Sequence, residues 1–372
     1  PIPDVRATSA KALGSLVGGV GEKDELLELV PWLTLNLCSE DSPVERSGAA
    51  QGLAEVCYAL GEDRLREVLN ETLPMAQSSK FAAREGLLWL LSFLPSVLRE
   101  AFAPHIADTL PVVLGGLSDT IETVREISVR AGQVMVTTLG MAHTHELLPS
   151  LQKGMFNDDW RIRQSSIQLI GELLYLVSDT KAVAKDIVGE DEEEGEEEEG
   201  ASTSGNSNKA LQSVRTHLGA ETTRHVFASL YIARSDLSSS CRQSALGVWK
   251  SIITNTPRVM VEIVKELVDQ LVDKLANGSI DTRMVAGRAL GDVVLKLGDR
   301  ILPTVMPCMS EGLTSSDQGM RQGVCLGLSE ILSACSKRQI EQYTDVLVPA
   351  LEQGFCDRSE EVRRQASKAF QT

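Results

Sequence analysis

An arginine recurs along this chain at intervals near forty residues, each time heading an apolar stretch rich in small residues. The series is Arg6, Arg46, Arg84, Arg125, Arg163, Arg242, Arg283, Arg321 and Arg363. Its intervals are 40, 38, 41, 38, 79, 41, 38 and 42 residues, and the outlier is one period plus an insertion of about forty. Self-similarity at this period argues against one closed core and predicts an array of helical hairpins that each contact only their neighbours.

Two further signals keep phase with the arginines. Pro111, Pro149, Pro307 and Pro349 each precede their Arg by 14 residues, with Pro31 at 15 and Pro74 at 10. They fall within the preceding helix, where a proline removes one hydrogen bond and bends the backbone. Asp119, Asp236 and Asp357 precede their Arg by six residues, Asp41 and Asp158 by five. The predicted unit is therefore a helix, an Asp-bearing turn and an Arg-led helix.

The residues between these anchors have helical periodicity. Met260, Ile263, Val264, Leu267, Val268, Leu271, Val272 and Leu275 follow the 3.6-residue period, which excludes a strand. Thr256-Pro257 is the expected N-cap and first turn, and Asn277-Gly278 the expected left-handed stop. Ala286, Ala289, Leu290, Val293, Val294 and Leu297 form the facing stripe of the partner helix. The pairs Gly48/Gly52, Gly287/Gly291 and Gly323/Gly327 predict close helix packing within the array, because charged flanks exclude the apolar span of a membrane helix pair. The longest uncharged apolar stretch, Gly86 to Leu98, is 13 residues, short for a bilayer crossing, and reads as a buried helix.

The phase breaks between Val177 and Ala210, where Gly189 to Gly200 carries nine acidic residues and no apolar one. Such a run cannot offset its ordering entropy by burial, so 179–209 is expected to be a disordered acidic loop between repeat blocks 1–178 and 210–372. Its expected role is solvation; docking of a basic partner is the alternative. The run also explains the formal charge of −16, which disfavours general nucleic-acid binding; without it about −7 is left for the repeats.

Chemistry-bearing motifs are missing. No Gly-Lys dipeptide exists, so there is no phosphate-binding loop, and Gly19-Val20-Gly21 is followed by Asp24 where a dinucleotide fingerprint needs glycine. His143 and His145, with Glu146 beside them, would face different sides of a helix and make a poor metal site. No catalytic residue, cofactor, metal, membrane contact or small-molecule substrate is expected. Seven scattered cysteines without a C-x-x-C pair predict a reduced, intracellular protein, and a start at Pro1 without Met predicts a segment of something longer.

The Arg series could read phosphates along one edge, or each Arg could pair with an Asp of its own or the adjacent turn. Because the two signs recur in phase, pairing is the expectation, and Arg6, Arg46, Arg84, Arg125, Arg163, Arg242, Arg283, Arg321 and Arg363 with Asp41, Asp119, Asp158, Asp236 and Asp357 form a structural ladder. Outside contacts then fall to basic residues off the ladder: Arg161, Lys209, Arg215, Arg224, Lys337, Arg338, Arg364 and Lys368.

The period, the Asp turn and the Val-Arg element resemble HEAT repeats. The strings RSGAAQGLAEV from Arg46, DDWRIRQSSIQLIGELL from Asp158, VWKSIITNTPR from Val248 and RQGVCLGLSEI from Arg321 together resemble the general-control translational activators. The likeness runs from about Val5 to Phe370 and is strongest to the portion after that family's elongation-factor-three-like region. It implies an all-α HEAT-repeat, armadillo-type superhelical solenoid of about nine hairpins, truncated at both ends. It further implies a cytoplasmic, ribosome-associated, non-enzymatic scaffold that activates the initiation factor two alpha kinase during amino-acid starvation, with the ribosome, that kinase and an ABC-type protein as partners. A nuclear-transport receptor or phosphatase scaffold is the alternative, since both use such repeats.

Overall fold

The computed structural model describes residues 2–20, 28–178 and 204–371. The described residues form α-helices and short 3-10 turns, with no strand. They divide into two compact units, Pro1–Lys181 and Ala182–Thr372.

The first unit opens with α1 (Pro3–Val20) and continues with four hairpins: α2 (Leu29–Leu37) with α3 (Pro43–Leu60), α4 (Glu62–Thr72) with α5 (Phe81–Leu98), α6 (Ile106–Gly116) with α7 (Glu122–Leu139), and α8 (Thr144–Gly154) with α9 (Trp160–Val177). The second unit has α10 (Ser204–Leu218) and four more: α11 (Ala220–Ala233) with α12 (Ser239–Ile252), α13 (Thr256–Asn277) with α14 (Ile280–Leu297), α15 (Leu302–Leu313) with α16 (Gln318–Ala334), and α17 (Lys337–Phe355) with α18 (Glu360–Gln371). Every ladder arginine sits in the first turns of α1 or of a hairpin's second helix. These are HEAT-type repeats.

Turn chemistry starts the second helices. Ser42 accepts from Glu45 N with Pro43 at the first position, Asp159 from Arg161 N, Ser279 from Thr282 N, and Asp317 from Gly319 N and Met320 N. Each bond satisfies a donor that the helix itself leaves unpaired. Pro111, Pro149, Pro307 and Pro349 lie inside α6, α8, α15 and α17; Pro31 falls in the first turn of α2, and Pro74 in a 3-10 turn after α4.

Three local expectations are corrected. Helix α13 is capped by Asn255, whose side chain accepts from Arg258 N, so Thr256 is already helical. Gly278 is not left-handed (φ −72°). A side chain there would instead meet Lys274 O at 2.4 Å and Thr282 at 2.9 Å. Leu297 is only half-buried beside the last turn, whereas Ala286, Ala289, Leu290, Val293 and Val294 are buried.

Of the expected acidic loop, 179–203 lie outside the described residues. Ser204 to Lys209 are helical, so α10 begins before Ala210. Once Ala210, Val214 and Leu218 are buried on one face, each residue added toward the N-terminus gains a backbone hydrogen bond at little further cost.

Within the first unit the second helices pack in series, α1 on α3, α3 on α5, α5 on α7 and α7 on α9; in the second unit α14, α16 and α18 do the same. Leu87, Leu90, Leu91 and Leu94 of α5 are fully buried between such neighbours, each contributing about 1.5–3 kcal/mol. The helical run Phe81–Gly116 is long and apolar enough to cross a membrane by composition, longer than the apolar stretch noted above. Of its apolar 18-residue window 67% is buried, however, and the run is broken at Arg99, which takes φ 50°. All seven cysteines are unpaired, and burial pushes the Cys57 and Cys325 thiols up to about 12, where they are unreactive at neutral pH.

Candidate macromolecular interface

Each ladder arginine from Arg46 onward folds back onto its own turn. Nη1 or Nη2 donates to Ser39 O from Arg46, Ser78 O from Arg84, Asp119 O from Arg125, Asn157 O from Arg163, Asp236 O from Arg242, Ala276 O from Arg283, Ser315 O from Arg321 and Asp357 O from Arg363. The guanidinium thereby satisfies carbonyls that the end of the first helix leaves open.

Arg46, Arg84, Arg283 and Arg321 also reach the next repeat. Arg84 grips Asp119 through Nε at 2.5 Å and Nη2 at 2.9 Å, and Arg321 grips Asp357 through the same atoms at 2.6 and 3.3 Å. Where the turn lacks this Asp, because Ser78 or Ser315 stands six before the next Arg, the residue just after that Arg accepts instead. Arg46 donates to Glu85 at 2.9 Å and Arg283 to Gln322 at 3.1 Å. Glu85 also accepts from Thr123 at 3.2 Å and from the Trp89 indole at 3.3 Å.

The bond from Arg84 holds Asp119 below the usual carboxylate range, and the bond from Arg321 does the same for Asp357. A carboxyl whose folded pKa is lowered contributes stability in full above its unfolded value, about 3.9, and loses it as pH falls through the folded value. Asp357→Asn is therefore expected to melt below the parent chain near neutrality. The gap should close as pH drops below 4 in a series of thermal melts; a gap constant across that series would contradict the pairing.

The off-ladder basic residues are dispersed. Arg161 lies on α9 of the first unit, exposed and 4.7 Å over the Trp160 ring. The other seven lie in the second unit. Arg215 pairs with Glu262 and Arg364 with Glu361 at 2.6 Å. Arg215 and Arg224 line one cleft of about 350 Å³ with Glu262 and Phe227. Lys209 is exposed on α10, Lys337 and Arg338 at the start of α17, and Lys368 near the end of α18.

Further polar contacts carry no sequence signal. Arg130 of α7 lies 5.2 Å over Trp89 and 6.0 Å over Phe93, and Tyr231 donates to Asp292 at 2.6 Å, beside Lys296. Only long-range packing brings these residues together. His143 sits before α8 with Nε2 2.6 Å from Glu100, a bond that raises its pKa above the ordinary value. His145, Glu100 and Glu146 line the same open cleft, yet among the described residues no group of three or more His, Cys, Asp or Glu is placed to hold a metal.

Comparison with known proteins gives this array a lineage. The family described as EF3 N-terminal HEAT repeat matches residues 46–184. The chain is 40% identical over 374 aligned residues to "Stalled ribosome sensor GCN1" of Homo sapiens, covering 100% of this chain and 14% of that protein. It is 34% identical over 371 residues to "eIF-2-alpha kinase activator GCN1" of Saccharomyces cerevisiae, again over 100% of this chain and 13% of that protein. The chain belongs to the GCN1 family. This GCN1-family segment spans about one seventh of the length of the curated relatives it matches. A crystal structure of importin beta aligns over 99% of this chain and 46% of its own, with 13% identity and a TM-score of 0.37, too loose to support any inference.

Proposed function

We propose that this segment is a non-catalytic scaffold in a cytoplasmic, ribosome-associated activator of the initiation factor two alpha kinase, acting in the amino-acid starvation response. The supporting observation is identity of 34–40% across the whole chain to proteins named for sensing stalled ribosomes and activating that kinase. Those names favour this reading over a nuclear-transport receptor or phosphatase scaffold. The ladder arginines and aspartates act as internal fasteners in this proposal, and contacts with the ribosome, the kinase or an ABC-type partner use other surfaces. Arg161, Lys209, Arg224, Lys337 and Arg338 are among the exposed basic side chains on those surfaces.

Co-sedimentation of the chain with ribosomes across a salt series tests the reading. Binding is expected at low salt and should fall steeply as salt rises, since phosphate contacts release counterions. Charge reversal at Lys337 and Arg338 should weaken it. Absence of any association at low salt would remove the ribosome role from this segment.

A further inference from the structure

The turns within hairpins carry the arginine ladder; the connections from one hairpin to the next lie at the other ends of the helices and carry a second fastening. Glu100, in the 3-10 turn Arg99–His105 between α5 and α6, reaches His143 at the N-cap of α8, with Oε2 2.6 Å from Nε2. In the second unit Asp299, in the 3-10 turn Gly298–Arg300 between α14 and α15, accepts from Gln339 Nε2 in the first turn of α17 at 2.9 Å. Each contact passes over the hairpin that follows the turn and meets the start of the hairpin after it.

Both acids also follow a residue in the same unusual conformation. Gly298 has φ 48° and ψ −121°, and Arg99 has φ 50° and ψ −123°. Glycine adopts this region freely, but Arg99 is the only non-glycine residue with positive φ among the described residues. The turn that carries Glu100 is therefore strained and persists only where its surroundings hold it.

At the place of the neutral amide, the first unit has a ring that titrates. His143 Nδ1 lies 3.6 Å from Glu146 Oε1, so both ring nitrogens face carboxylates, and only the imidazolium offers each a donor. A neutral ring would turn a lone pair toward one of the two acids. The charges acting on the ring are Glu100 from the turn and Glu146 from α8. His145 lines the same cleft, and Ala103, Pro104 and Ala107, from the turn and α6, bring no charge to it.

We infer that His143 is a proton-dependent clasp: as imidazolium it ties the strained turn to the next repeat, and on losing its proton it releases Glu100 and lets that edge open. Glu100 favours the charged ring, so the His143 pKa lies above its ordinary value, about 6.5. The clasp is then at full strength below about pH 6.5 and is lost as pH rises through the folded value. The Asp299–Gln339 contact has no group that titrates near neutrality and stays closed.

Hydrogen exchange of the whole chain, read by mass spectrometry and normalised to the unfolded-chain rate at each pH, tests this between pH 6.5 and 9. His105, which ends the turn, is buried, and that burial lowers its pKa, so it does not charge in this range. Protection of 99–105 should fall by about fivefold if the His143 ring titrates one pH unit above 6.5 in an NMR titration, while protection of 298–300 stays constant. His143→Gln should make the first-unit turn equally indifferent to pH. Glu100→Gln should return the ring to about 6.5 and remove most of the pH response, which keeps the test available should the other variant fold poorly. A parent ring titrating at or below 6.5, constant protection of 99–105 in the parent chain, or an undiminished response in either folded variant would each overturn the inference.

Discussion

Gly323→Ala is expected to destabilise the second unit severely, although alanine in place of a helical glycine ordinarily adds about 0.5–1 kcal/mol. An ideal Cβ on Gly323 would lie 1.8 Å from Leu275 O, a backbone atom of α13 that cannot turn aside. The two helices must separate, and overpacking of this kind costs about 3 kcal/mol or more. Gly86 holds the equivalent place, two residues after Arg84, with Leu37 O 1.9 Å from its ideal Cβ, and Gly86→Ala should behave alike in the first unit. Gly247 meets nothing within 4 Å, so Gly247→Ala should be neutral or mildly stabilising. Urea midpoints of the three variants decide the matter: a Gly323→Ala protein as stable as its parent would show that α13 and α16 are not held this close.

Breaking the Arg46–Glu85 pair should be nearly as costly. Both side chains are almost wholly buried, at 4% and 3% exposure, and Glu85 also holds Thr123 and Trp89. Glu85→Gln leaves a guanidinium in a dry site without its counter-charge, for which the expected loss is about 3–5 kcal/mol. Arg46→Met leaves the carboxylate, with a similar loss. Arg46→Met combined with Glu85→Leu removes both charges and should recover most of the stability, giving a large coupling energy in a double-mutant cycle. Additive losses would show that the two residues act separately.

The hairpins were legible because their signals are local: helical periodicity, turn residues and a fixed arginine phase each lie within one repeat. Which acid meets which arginine was not, since the sequence alone leaves own-turn and next-turn pairing open. The structure divides the donors, with carbonyls of the same turn taking one edge of the guanidinium and the next repeat's side chain another. Glu85 escaped notice for a related reason: it stands inside a helix, one residue past Arg84, where an acid usually reads as solvated surface. The glycine contacts were half legible. The G-x-x-x-G pairs marked close packing at Gly323 but not at Gly86, which lacks a glycine four residues on. Basic residues such as Arg215 and Arg364 looked available in sequence because Glu262 is distant and Glu361 is one acid among several nearby.

The change of acceptor along the ladder makes the second unit mechanically uneven. From α16 to α18 the fastening is a charged two-point grip, Arg321 on Asp357, whereas from α14 to α16 it is a single bond to the neutral amide of Gln322. Charge-assisted two-point bonds resist shear and rotation more strongly than one neutral bond. At this contact the ladder restrains sliding of α14 against α16 less than it restrains sliding of α16 against α18.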